Sequence, residues 1–162
     1  MSSFTTHHND TMKTCIHLIL LFVLAMIITS DAAAGEKYSW RQTLDAIREV
    51  ETGGQPNNGI GARGDGGAAL GPYQIWRIYH TDAADRDKSL TNYQNCLTSK
   101  SYSEKVIRAY MHRYARAELL RLEAGKGTRA DVEKVARIHN GGPRGHKKKA
   151  TDKYWAKVAR RL

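Results

Sequence analysis

Cysteine is nearly missing: the 162 residues contain two, Cys15 and Cys96. Cys15 falls in an apolar leader, so the remainder of the chain has one thiol and no internal disulfide is available to it. Small exported domains often rely on such staples. This one must hold together through its core, or Cys96 pairs between chains. No Cys or His stands at zinc-like spacing from Cys96, so neither a metal nor another cofactor is expected. Acidic residues are also scarce, 16 against 26 lysines and arginines, for a formal net charge of +10. That balance says nothing about fold but favours anionic partners, and for an exported protein bacterial surface polymers lead the candidates. The cations scatter along the helices, with Lys147-Lys148-Lys149 as the one block. Such scatter marks a solvated surface, so no nucleic-acid partner is expected.

Internal repeats are absent, and so is an apolar run long enough to span a membrane. Ile16 to Ile28 is apolar except for His17, and it falls short of the roughly 20 residues a span needs. Lys13 precedes it and a small-residue tail ending in Ala32-Ala33-Ala34 follows. Together they describe a secretion signal over 1–34, cleaved after Ala34, with an uncleaved anchor as the rival. Met12-Lys13 is a more natural start, which marks 1–11 as a candidate extension of the gene model. The expected product, 35–162, is one domain, secreted or periplasmic, with no stable membrane span after signal removal.

What is present centres on Trp40 to Ile75. Trp40, Leu44, Ile47 and Glu51 follow at steps of four, three and four, which sets a carboxylate at the end of a helix's apolar stripe. Apolar surroundings disfavour a carboxylate's charge and favour an acid that keeps its proton. Asp65 follows across a glycine-rich loop. One carboxyl kept as an acid beside one kept as an anion is equipment for cleaving a glycosidic bond. Blander readings exist for both: a helix-terminal glutamate reaching water, and an aspartate serving its own turn. Glu49, on another face of the same helix, is the natural surface control.

Ser39 caps the first helix, with Gln42 placed for a capping box, and Gly53-Gly54 end it. Gly53 to Gly71 reads as an ordered loop or β-hairpin. Leu70 to His80 is aromatic and apolar, so it belongs to core or a cleft wall, and Tyr73, Trp76 and Tyr79 are candidates to stack on sugars. Thr81 to Leu97, with Asp82, Asp85 and Asp87, reads as loop with one helical turn. A long helix runs from a Ser103 cap to about Glu123, and another opens at Thr128 and buries Val132, Val135, Ala136 and Ile138. It stops at Asn140-Gly141-Gly142-Pro143. A last helix opens at Thr151 and buries Tyr154, Trp155, Val158 and Leu162. The fold class is α+β, mostly α. Asp82 is a second candidate carboxylate, His80, His112 and His146 read as surface residues, and no Gly-x-Ser-x-Gly supports a His–Ser dyad.

In this order, Glu51-Thr52-Gly53-Gly54, Asp65, Gly71-Pro72-Tyr73-Gln74-Ile75, Tyr110 to Tyr114 and above all Ala136-Arg137-Ile138-His139-Asn140-Gly141-Gly142-Pro143 resemble the invertebrate-type (destabilase-like) lysozymes. The resemblance implies a small lysozyme-like fold and cleavage of the β-1,4 bond between N-acetylmuramic acid and N-acetylglucosamine in peptidoglycan. It also implies Glu51 as catalytic acid, Asp65 as second carboxylate, and Tyr73, Gln74, His139 and Asn140 along the sugar cleft. Members are rich in disulfides; here Gly54, Leu70, Ala83 and His146 occupy matching positions. The same segments are more faintly similar to lytic transglycosylases, which use one glutamate and no second carboxylate. Two further readings stand beside these: a non-catalytic cationic protein acting on bacterial surfaces, and the isopeptidase activity of some family members.

Overall fold

A computed structural model describes residues 35–162, so the expected secretion signal lies outside the described residues. Its first helix, α1 (Trp40–Thr52), opens on the expected capping box: the Gln42 N–H donates to Ser39 Oγ at 3.2 Å, and the Ser39 N–H donates to Gln42 Oε1 at 2.8 Å. Leu44 and Ile47 are buried, with Thr43 and Ala46 beside them. The glycine-rich segment is ordered, as three two-residue strands in one antiparallel sheet: β1 (Arg63–Gly64), β2 (Ala69–Leu70) and β3 (Ile75–Trp76). Arg63 pairs with Leu70, which pairs with Ile75. Gly71 adopts φ +70° where a side chain would overlap the Cys96 carbonyl, so the β2–β3 turn requires glycine twice over.

Two expectations along the next stretch are corrected. Arg77–Arg86 forms a full helix, α2, so the first part of the Thr81 to Leu97 stretch that reads as loop with one turn is helical; Asn95–Thr98, α3, is the one short turn within that stretch. The aspartates suggest loop, but Asp82 is neutralised by Arg113 and Tyr114 from α4 (Lys100–Tyr114), and the Tyr79 ring stacks on Tyr110 at 3.7 Å. Tertiary partners thus outweigh the local signal. The long helix is also two. Ser99, not Ser103, caps α4, and Ala115 leaves helical geometry before α5 (Arg116–Glu123). Ser103 is buried instead, donating to the Cys96 carbonyl at 3.0 Å. The bend carries Leu119 and Leu122 into the core and leaves Ala117 exposed.

Helix α6 (Arg129–Gly141) matches expectation, with Thr128 as its cap and Val132, Val135, Ala136 and Ile138 all buried. Helix α7 (Asp152–Val158) buries Val158 alone; Tyr154, Trp155 and Leu162 pack half-buried against the core. His80 is buried, against the surface expectation, with Nε2 2.9 Å from the Tyr102 hydroxyl, and burial with the Arg77 charge lowers its pKa. Among the described residues no helix is long and apolar enough to cross a membrane. The architecture is α+β and mostly α: the described residues form seven α-helices and one small sheet around a continuous core.

Candidate active site

Glu51 sits in the last turn of α1 with its side chain 18% exposed. Its Oε1 accepts a 2.7 Å hydrogen bond from the Tyr154 hydroxyl of α7 and lies 3.5 Å from Nε2 of His139, near the end of α6. Three helices therefore converge on one carboxyl oxygen. Burial, then the Glu51 charge, raises the Tyr154 pKa well above its ordinary value, so the hydroxyl keeps its proton and acts as donor. His139 Nε2 also lies 3.1 Å from the Tyr73 carbonyl, which can only accept. Nε2 therefore carries the proton, and Nδ1 is buried without a hydrogen-bond partner. Glu51 Oε2 has no hydrogen bond among the described residues, which leaves it the oxygen available to a substrate. Glu49, by contrast, pairs with Arg48 at 3.0 Å on the surface, 41% exposed.

The β2–β3 turn is the hub behind this arrangement. The Pro72 carbonyl accepts from Thr52 Oγ1 at 2.8 Å, locking the end of α1, and the next carbonyl, Tyr73, holds His139. Gln74 follows with φ +48°, Nε2 donating to the Gly71 carbonyl at 2.9 Å. Its Oε1 lies where a side chain on Gly64 would be, so glycine is required directly before Asp65. Asp65 has φ +49° and opens a 3₁₀ turn, Asp65–Gly67, and its exposed carboxylate has no hydrogen bond or ion pair among the described residues. Asp65 and Gln74 are two of the four non-glycine residues with a left-handed backbone among the described residues, with Asn57 and Asn58, a conformation that stores strain.

Of the predicted residues, Glu51 and His139 meet directly, and Gln74 connects them to the loop of Asp65. Tyr73 takes part through its carbonyl. Its ring is 0% exposed, and its hydroxyl donates to Glu104 at 2.7 Å, so the side chain is core rather than cleft lining. Asn140 is exposed and lines a cleft of about 440 Å³ together with Trp76, Tyr79, Asp82, His139 and Pro143. Of the three aromatics considered for sugar stacking, Tyr73 and Tyr79 are buried, whereas Trp76 is 49% exposed on the cleft rim. Asp82 has both oxygens engaged, by Arg113 and Tyr114, so it braces the wall rather than offering a free carboxylate. Tyr154 is the site residue that sequence reasoning misses. Its one signal is membership of the Tyr154-Trp155 pair downstream of the His139 segment.

A family model described as Destabilase matches residues 41–161 of the chain. Lysozyme 1 of Crassostrea virginica is 34% identical over 119 residues, covering 73% of this chain and 57% of that protein. The lysozyme of Magallana gigas is 35% identical over 116 residues, 71% of this chain and 74% of its own length. Among solved structures, a chain in the complex of Aeromonas hydrophila PliI with Meretrix lusoria lysozyme aligns with a TM-score of 0.56 at 29% identity, over 78% of this chain and 92% of that one. Leu70 and Ala83, two of the positions without the expected cysteines, are core residues, so apolar packing occupies these positions. With the family model spanning nearly all of the described domain, the protein belongs to the destabilase family of invertebrate-type lysozymes.

Proposed function

We propose that the protein is a muramidase that hydrolyses the β-1,4 bond between N-acetylmuramic acid and N-acetylglucosamine in peptidoglycan. The observation that carries this reading is the loading of one Glu51 oxygen. With Oε1 accepting from Tyr154 at 2.7 Å, the proton of the neutral acid belongs on Oε2, the oxygen without an internal partner. From there it passes to the glycosidic oxygen as the bond to the leaving sugar breaks. The Asp65 carboxylate, exposed and without a hydrogen bond among the described residues, stabilises the positive charge developing on the cleaved sugar, or attacks it to give a glycosyl-enzyme that water then hydrolyses. Trp76 offers a stacking face and Asn140 an amide along the 440 Å³ cleft. The expected secretion of 35–162 after signal cleavage would deliver the enzyme to its polymer.

Glu51→Gln is expected to lower wall lysis by about 10²–10⁴-fold, the usual contribution of a general acid, with Glu49→Gln close to wild type. Equal activity of both variants overturns the assignment. The lytic transglycosylase reading draws support from one feature: among the described residues no hydrogen bond holds the Asp65 carboxylate in place. Mass spectrometry of digested peptidoglycan separates the two: reducing ends mark hydrolysis and anhydro ends mark transglycosylation.

A further inference from the structure

Basic residues that look scattered along the sequence assemble in space. On α4, Lys105, Arg108 and His112 follow at steps of three and four and share a face, and Arg116 opens α5 four residues later. Arg86, in the last turn of α2, faces them. Between these elements runs an open groove of about 720 Å³, adjoined by a second hollow of about 510 Å³, and Arg86 and His112 line both.

The groove's charge is only partly cancelled from within. Arg108 is held by Glu123 and Arg113 by Asp82. Arg86, Lys105 and Arg116 have no carboxylate within salt-bridge distance among the described residues. Arg86 donates instead to Nδ1 of His112 at 3.1 Å, which leaves Nε2–H of that ring as a further donor. Asp87, the carboxylate lining the larger hollow, is turned toward Ser89, accepting from its N–H at 3.0 Å and its hydroxyl at 2.7 Å, and Asp85, which lines the second, lies 3.5 Å from Lys88. No Phe, Tyr or Trp lines either hollow, His112 being the one ring, and Ala109 is the lone aliphatic lining residue. A run of bases would find no broad aromatic platform to stack on, and an acyl chain nothing to bury against. Two joined hollows suit an extended chain, and guanidinium forks match phosphate oxygens.

We propose that this groove binds an anionic polymer of alditol phosphates of the kind carried by bacterial walls, with its phosphodiesters set among Arg86, Lys105 and Arg116. The site is separate from Glu51 and stands whether or not that residue is the catalytic acid. The Arg113–Asp82 pair divides it from the sugar cleft, since Arg113 lines the second hollow and Asp82 the cleft. A polymer held here would lie beside the proposed glycan site.

The test measures binding of purified poly(glycerol phosphate) by fluorescence anisotropy at about 50 mM salt. One variant is Arg86→Gln/Lys105→Gln/Arg116→Gln; the other, Lys126→Gln/Lys149→Gln/Lys157→Gln, removes the same charge elsewhere. The groove variant is expected to lose about tenfold or more in affinity with a shallower salt dependence, and the control to stay within about twofold. Lys105→Gln alone, at an exposed position, is expected to lose about two- to threefold and guards against misfolding of the triple variant. Equal losses in both triple variants, or none in either, overturn the site. Tighter groove-dependent binding of single-stranded DNA or anionic vesicles than of the polymer overturns the assigned occupant.

Discussion

Tyr154 and Glu51 stand 103 positions apart in the chain and 2.7 Å apart in the fold. That one bond decides which carboxyl oxygen is left without a hydrogen bond among the described residues. Tyr154→Phe removes the donor that occupies Oε1 and is expected to lower kcat/KM about two- to tenfold, the usual worth of one such hydrogen bond. A variant that melts earlier but keeps wild-type kcat/KM would show that Tyr154 only packs. Cys96 is decided at the same scale. It is 0% exposed, and burial pushes its thiol up to about 12. Pairing between folded chains is therefore excluded by access, which corrects the intermolecular disulfide that the sequence leaves open. A thiol reagent at pH 8 is expected to label Cys96 only after denaturation; rapid labelling of the native protein would contradict its burial.

Among the elements, α6 shows how a cap supports a site. Its buried Asp131 accepts from the Thr128 N–H at 2.8 Å and binds Arg121 of α5 through both oxygens. The Arg121 bonds, opposed in part by burial and reinforced by Thr128, hold the Asp131 carboxyl down at about 2 against an ordinary 3.8. A depressed carboxyl pKa contributes stability that is present above the unfolded value and lost as pH falls through the folded one. Asp131→Asn is thus expected to cost about 1–2 kcal/mol at neutral pH in denaturant titration, with the gap to wild type closing between about pH 4 and 2. A gap that persists at pH 2 would mean that packing, not ionisation, carries the effect. Helices α1 and α6 are legible in the sequence because cap and apolar period agree in each. The break at Ala115 is not, since no glycine or proline marks it; beyond it Leu119 and Leu122 are buried.

For the molecule as a whole, charge and site are separable. A net charge of +10 predicts that attachment to an anionic wall weakens as salt rises, while cleavage of a short neutral glycan changes little. Parallel assays of whole-wall lysis and oligosaccharide hydrolysis from low to about 0.3 M salt would show this; equal loss in both would place the charge effect at the active site instead. Along the sequence the cations look scattered because nothing local marks α2 as a helix. With Arg77–Arg86 helical and packed along α4, Arg86 faces His112 and the scatter becomes a groove.

The class of fold, the caps of α1 and α6, the order in the glycine-rich segment and the placing of Glu51 at the end of an apolar stripe are all legible along the chain. Each follows from local rules: side-chain period, capping chemistry, and the backbone freedom of glycine. What surrounds Glu51 is set by packing between distant segments. Tyr154 and His139 reach it from separate helices, the Tyr73 ring is withdrawn into the core, and Gln74 is seated behind the loop of Asp65. Convergence of that kind depends on how helices pack against one another, and no local pattern encodes a contact between residues so far apart.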